Sequence, residues 1–296
     1  MDLGGWFPIG IEWGQYEPKI QWAYLGNSDF AEPFFDFTVE KHISRPFGSV
    51  FRKWTTIEEL MFLPRDEPSG LVFHMSRCGS TVLSRFLNAL PGCVSYSEPS
   101  FLSKLLRARG HVPNETLVHW LRLVVSVLCA KCERSFLKLD PYCCLSMDLW
   151  LQAFPEVPHI FLYRDPVEVM VSNLDVGAVP MHAPIVQGED AEERMAILLQ
   201  AYLNWAIRCH SDNCLLVDYE EFPQVLWEKV LPHFDLHCDQ ATQVAARALL
   251  NQDAKVPGKT FVSDSKKKRA SASPRVKEVV SAYLDSPIAR LTEMKT

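Results

Sequence analysis

Leu71-Val72-Phe73-His74-Met75-Ser76-Arg77-Cys78-Gly79-Ser80-Thr81 decides the architecture of this chain. Residues 71–75 are a short apolar run bounded by turn residues, the signature of a strand buried in a parallel sheet. Residues 81–90 then place Val82, Leu83, Phe86, Leu87 and Leu90 at helical spacing, and Pro91-Gly92 stops the helix. The loop between strand and helix points successive backbone N–H groups at an anion. It is a candidate phosphate cradle, with Arg77 before Gly79 and the hydroxyls of Ser80 and Thr81 after it. A helix start with a solvated Arg is the competing explanation, and the loop alone does not separate the two.

Toward the C-terminus the alternation repeats. Strands are expected near 93–97, 136–139, 159–163 and 214–217, with helices near 114–132, 145–154, from 166, 191–209, 220–230, 240–250 and from about 275. Strands that alternate with helices imply right-handed crossovers, so the expected fold is α/β, three layers with a central parallel sheet flanked by helices. Toward the N-terminus, residues 1–68 are rich in aromatics and proline without a clear period. They read as an irregular extension with a short helix near 56–62, beside a main domain of residues 69–296.

Composition removes several function classes. With 48% hydrophobic and 22% charged residues the chain buries a sizeable core, which excludes global disorder. Its 30 Lys and Arg against 36 Asp and Glu leave a formal charge of -6, so neither nucleic acid nor an anionic membrane is an expected partner. The most apolar run, 121–130, is interrupted by Arg122 and Ser126 and is shorter than the roughly 20 residues that span a bilayer. The opening residues lack a basic start and an apolar core, and nine cysteines is an odd number, so free thiols and a cytoplasmic setting are expected. Cys129-Ala130-Lys131-Cys132 lies in an apolar helical run with no second pair and reads as structural; the histidines, His74 included, show no ligand spacing, and no metal is expected.

A second constellation follows the strand near 159–163. Arg164 stands at its carboxyl end, Pro166 opens the next helix, and Ser172 comes eight residues after Arg164. Such an Arg and Ser converge on a second phosphate, separate from the first. The NTPase pattern GxxxxGK[ST] is absent, because Met75 or His74 precedes the turn and Ser80 follows Gly79.

In these segments the sequence resembles the sulfotransferase superfamily, P-loop enzymes that use 3′-phosphoadenosine 5′-phosphosulfate (PAPS) as donor. Ser76-Arg77-Cys78-Gly79-Ser80-Thr81 is similar to the family's 5′-phosphosulfate loop, with Arg for Lys and Cys for Ser. Arg164 and Ser172 have the spacing of its 3′-phosphate site. Leu137-Lys138-Leu139-Asp140 resembles the strand that carries a sulfate-contacting Lys and, two residues on, a catalytic His, here replaced by Asp140. Asp218-Tyr219-Glu220-Glu221 is similar to the strand end whose Tyr lies near the adenine. Ser265-Lys266-Lys267-Lys268-Arg269 resembles the basic loop that closes over the nucleotide, although a lysine-rich run is as often a solvated face.

The resemblance implies cofactor binding by Arg77, Cys78, Gly79, Ser80, Thr81, Arg164, Ser172, Tyr219, Lys267, Lys268 and Arg269, with PAP, adenosine 3′,5′-diphosphate, as product. It implies catalytic roles for Lys138 and for a carboxylate, Glu98 first and Asp140 second. Either base is expected to be partly desolvated with a raised pKa. The reaction would be in-line sulfuryl transfer to a hydroxyl, or an amine, of a small-molecule acceptor. The acceptor pocket is expected from the aromatic segments of 1–68 and the 175–190 loop. A P-loop kinase or NTPase, and a non-catalytic nucleotide-binding module, are the rival readings; acceptor identity and oligomeric state stay open.

Overall fold

Two sheets form, and their side-chain patterns differ. The structure, a computed structural model, describes residues 4–14, 17–178, 187–250 and 264–295. Strands β1 (Trp6–Trp13), β2 (Pro18–Tyr24) and β3 (Arg52–Thr56) make an antiparallel sheet in the order β1-β2-β3. This corrects the expected irregular extension. Ile20 and Trp22 alternate inward in β2, but aromatics such as Tyr24 and Trp54 also occupy exposed positions, and β1 shifts register between Pro8 and Gly10. Aromatics on both faces and a bulge erase the period of two that marks a half-buried strand. Helix α1 (Phe35–Ile43) lies between β2 and β3, and a 3₁₀ turn covers Glu58–Phe62, close to the short helix expected there.

The second sheet is parallel throughout, built from β4 (Gly70–His74), β5 (Cys93–Ser97), β6 (Arg134–Lys138), β7 (His159–Tyr163) and β8 (Cys214–Asp218) in the order β5-β6-β4-β7-β8. Every residue of β4 and β7 is buried, which is why they read as unbroken apolar runs. The crossovers carry α2 (Ser80–Asn88), α3 (Ser100–Leu106), α4 (Asn114–Cys129), α5 (Met147–Ala153), α6 (Pro166–Asp175) and α7 (Ala191–Arg208). After β8 come the short α8 (Leu231–His233), then α9 (Gln240–Leu250), α10 (Ser265–Ser271), α11 (Pro274–Tyr283) and α12 (Asp285–Met294).

Three local differences from expectation have physical causes. The helix expected over 220–230 is a 3₁₀ turn, Tyr219–Glu221, followed by a π turn, Leu226–Val230, with Pro223 between them. The lysine-rich run expected as a loop is helix α10, since Lys and Arg are good helix formers and Asp264 stands at its start. The final helix is two, parted at Leu284. Residues 179–186 of the expected lid over 175–190 lie outside the described residues.

The N-terminal sheet is tied to the parallel sheet through Phe30. Its ring stacks on Phe35 at 5.4 Å and meets Tyr96 of β5 edge-on at 4.9 Å and Phe7 of β1 at 5.1 Å. Phe30→Ala is expected to cost about 3–5 kcal/mol, the range for an aromatic core truncation. A shift of the urea unfolding midpoint, with ellipticity as the readout, measures it.

Candidate active site

Register brings the chemistry together. Val72 pairs with Lys138, and Ser97 with Lys138, so β4, β5 and β6 end side by side. Their carboxyl ends present His74, Glu98 and Asp140 to one cavity of about 480 Å³, the location where open α/β sheets bind ligands. Glu98 is held in a left-handed conformation, φ 52°, its N–H donating to the Lys138 carbonyl at 2.7 Å. Lys138 itself is fully buried, and its ammonium donates to Glu98 Oε1 and, at 3.2 Å, to Ser97 Oγ. Asp140 caps the turn that follows β6 by accepting the Tyr142 N–H at 2.9 Å.

The glycine of the loop is required by its surroundings. Gly79 has φ +88°, and a Cβ there would lie 2.5 Å from the Tyr219 ring. Ser76 and Arg77 also have positive φ, at 74° and 50°, which curls the loop around the cavity. Arg77 Nε donates to Ser172 Oγ at 2.8 Å, joining the loop to α6. Arg164 is buried, its guanidinium paired with Glu168 and 4.3 Å from the centre of the Tyr219 ring. Its Nη2 also donates to Ser265 Oγ at 3.0 Å and reaches Asp264 at 3.5 Å, so the start of α10 meets the same guanidinium.

No family model and no curated protein matches the chain. Solved structures do. Sulfotransferase STF9 from Mycobacterium avium superposes with a TM-score of 0.51 at 14% identity, over 84% of this chain and 81% of that one. The sulfotransferase domain of the Synechococcus PCC 7002 olefin synthase gives 0.50 at 17% identity, over 78% and 96%. The fold is that of the sulfotransferases.

Of the residues singled out from sequence, Arg77, Gly79, Ser80, Thr81, Glu98, Asp140, Arg164, Ser172, Tyr219 and Lys268 line the cavity of this sulfotransferase fold together. Four stand apart from its walls. Lys138 is behind Glu98. Cys78 is buried with its Sγ donating to the Leu162 carbonyl at 3.3 Å, and burial pushes its thiol up to about 12, so its side chain faces the sheet rather than an anion. Lys267 is exposed on the outer side of α10. Arg269 is ion-paired with Glu168 at 2.8 Å, Asp165 at 3.2 Å and Glu220 at 2.6 Å.

Sequence reasoning missed His74, Asn173 and most of the apolar wall. That wall is Met195, Leu198, Leu199 and Tyr202 of α7 with Pro141 and Tyr142, whereas residues 1–68 contribute Phe34 and the 175–190 loop Val176 and Ala178. The expected aromatic N-terminal pocket is thus corrected: Trp22 and Phe35 are spent in the core. The signal for His74 was its place as the last residue of the strand before the cradle. Among the described residues no cluster of His, Cys, Asp and Glu suits a metal ion, and no helix is long and apolar enough to cross a membrane. All nine cysteines are free.

The two carboxylates differ in electrostatics, and one reverses expectation. Burial alone raises both. For Asp140 it prevails, holding the carboxyl above its ordinary value. For Glu98 the His74 ring and the Lys138 ammonium outweigh burial and hold it down to about 2. Because Glu98 is lowered on folding, its ionised form stabilises the fold above its ordinary 4.5, and that contribution is lost as pH falls toward about 2. Glu98→Ala leaves a buried ammonium without its anion and is expected to cost about 3–5 kcal/mol, most of it recovered in Glu98→Ala/Lys138→Met. Urea unfolding at a series of pH values checks both: the acid loss between 4.5 and 2 shrinks in the double variant.

Proposed function

We propose that the protein is a sulfotransferase that moves a sulfuryl group from PAPS to a hydroxyl, or an amine, of a small-molecule acceptor. What supports this reading is that the residues of two candidate anion sites line one cavity, next to a buried lysine–carboxylate pair. Arg77, Gly79, Ser80 and Thr81 line the cavity together with Arg164 and Ser172, which meet the loop through the Arg77–Ser172 hydrogen bond and an Arg164 Nη1 donation to the Arg77 carbonyl at 3.4 Å. A nucleotide with a 5′-phosphosulfate and a 3′-phosphate has the two anionic groups that such a pair of sites would bind. Tyr219, packed against Gly79 and under the Arg164 guanidinium, offers a flat face beside them.

Each residue then has a task. Glu98 accepts the acceptor's proton as the new bond to sulfur forms, and the bond from sulfur to the donor's bridging oxygen breaks with its electron pair on the leaving diphosphate. Lys138, Arg77, the hydroxyls of Ser80 and Thr81 and the loop amides stabilise charge on the transferring group and the leaving oxygen, which is catalysis by positioning and preorganised electrostatics. Arg164 and Ser172 select for the 3′-phosphate, with Lys268 at the rim, through charge-assisted hydrogen bonds. The apolar wall of α7 with Tyr142 and Phe34 receives the acceptor beside Glu98 and Asp140.

Calorimetric titration with adenosine 3′,5′-diphosphate in EDTA, against ADP with Mg²⁺, tests the reading. Binding of the 3′,5′-diphosphate without metal, and none of ADP, is expected; the reverse pattern would make the protein a kinase-like nucleotide enzyme. Arg164→Ala should weaken that binding by about 2–5 kcal/mol, the range for truncating one partner of a buried charge pair. Glu98→Gln keeps an acceptor for Lys138, so the diphosphate affinity should hold while transfer slows roughly 10²–10⁴-fold.

A further inference from the structure

The two oxygens of Glu98 are not equivalent. Lys138 and His74 both address Oε1, while Oε2 has no hydrogen bond or ion pair among the described residues. The His74 ring is fully enclosed, and its Nδ1 accepts the Ser76 N–H at 3.2 Å. A neutral imidazole that accepts at Nδ1 carries its proton on Nε2. Burial disfavours the charged ring, so the neutral form is the one present. The left-handed conformations of Ser76 and Arg77 follow directly after this amide, in the loop that lines the cavity.

Nε2 lies 3.4 Å from Glu98 Oε1, close enough to help hold the carboxyl down but not placed for a well-formed hydrogen bond. A buried donor without a well-formed partner is costly, and here it faces an oxygen that it shares with an ammonium. Departure of Lys138 from Oε1 would leave that oxygen to the His74 ring. The groups facing Glu98 are His74 from β4, Lys138 from β6 and Asp140 just beyond β6. Of these His74 alone is an uncharged donor.

We propose that His74 is a positioning residue for Glu98: when Lys138 is drawn to the transferring group, the Nε2–H closes on Oε1 and keeps the carboxylate aimed, with Oε2 toward the acceptor. This rests on the sulfuryl-transfer reading. The exchange has a chemical consequence. A neutral N–H replaces an ammonium on Glu98, so the carboxylate stays hydrogen-bonded but becomes a stronger base at the moment it is needed. Ser76 is part of the device, because its amide fixes the tautomer.

Two measurements test it. In ¹⁵N-histidine NMR, the resonances missing from His74→Gln identify His74, and the wild-type ring should be the neutral Nε2–H tautomer from pH 6 to 8, a range that starts about half a unit below the free imidazole value. An Nδ1–H tautomer, or a ring that titrates like free imidazole, overturns the proposal whatever the enzyme does. The second measurement is hydrolysis of PAPS, with water as acceptor, followed by release of adenosine 3′,5′-diphosphate. His74→Phe should slow it about 10- to 100-fold, the scale of a misplaced catalytic group, and move the acid limb of the pH profile upward, since Glu98 loses a donor that favours its charged form. His74→Gln, which keeps an N–H, should recover most of the rate, and diphosphate affinity should match wild type in both variants. An unmoved acid limb in His74→Phe, or a Gln variant as slow as Phe at equal diphosphate affinity, overturns the positioning role. Failure of the wild-type protein to bind the diphosphate overturns the sulfuryl-transfer reading instead, and the NMR result still judges the geometry.

Discussion

A lysine ammonium with no exposed surface constrains the centre of this molecule. Lys138 is the last residue of β6, at a position where the strand pattern calls for an apolar side chain. Its charge is tolerable only with an anion and further hydrogen-bond partners at contact distance. Ser97 and Glu98 supply them, and they do so because β5 and β6 pair with Ser97 opposite Lys138. A shift of that register by one residue would turn Glu98 away and leave the ammonium uncompensated. The left-handed backbone of Glu98 is part of the same arrangement, fixed by its N–H on the Lys138 carbonyl. The site is therefore built into the pairing of the sheet.

The proposed donor side of the cavity shows the opposite economy, three cations held by four carboxylates. Arg164 is paired with Glu168 and reaches Asp264, Lys268 is paired with Asp264 at 2.9 Å, and Arg269 bridges Asp165, Glu168 and Glu220. An incoming phosphate would therefore exchange partners with carboxylates already in place, Asp264 foremost, since it is half-exposed while Glu168 is buried. Exchange of this kind favours discrimination among anions more than raw affinity, because each ligand is measured against an internal competitor.

The N-terminal segment is structural to a degree that its composition concealed. Its strands place Phe7, Ile20, Trp22 and Ala23 in the same core as the parallel sheet, and Phe30 and Phe35 pack on Tyr96, one residue from Ser97. The segment thus supports β5 from behind while the cavity wall comes from α7. Several of its other aromatics, Phe47, Trp54 and Phe62 among them, are exposed.

Local pattern determined the parallel sheet, its five strands within two residues at each end, the loop at residues 76–81 and the placing of Arg164 at a strand end with Ser172 on the helix that follows. These are properties of short segments: continuous apolar runs, helix stops, and spacing along a single element. Tertiary structure alone decided what lay beyond reach of any one segment. It buried Lys138, drove the ionisation of Glu98 and Asp140 apart, turned Cys78 inward, and set His74 against Glu98 from two strands away. Burial, the identity of charge neighbours and the direction of a ring nitrogen depend on contacts between residues tens of positions apart, and no periodicity in the chain encodes them.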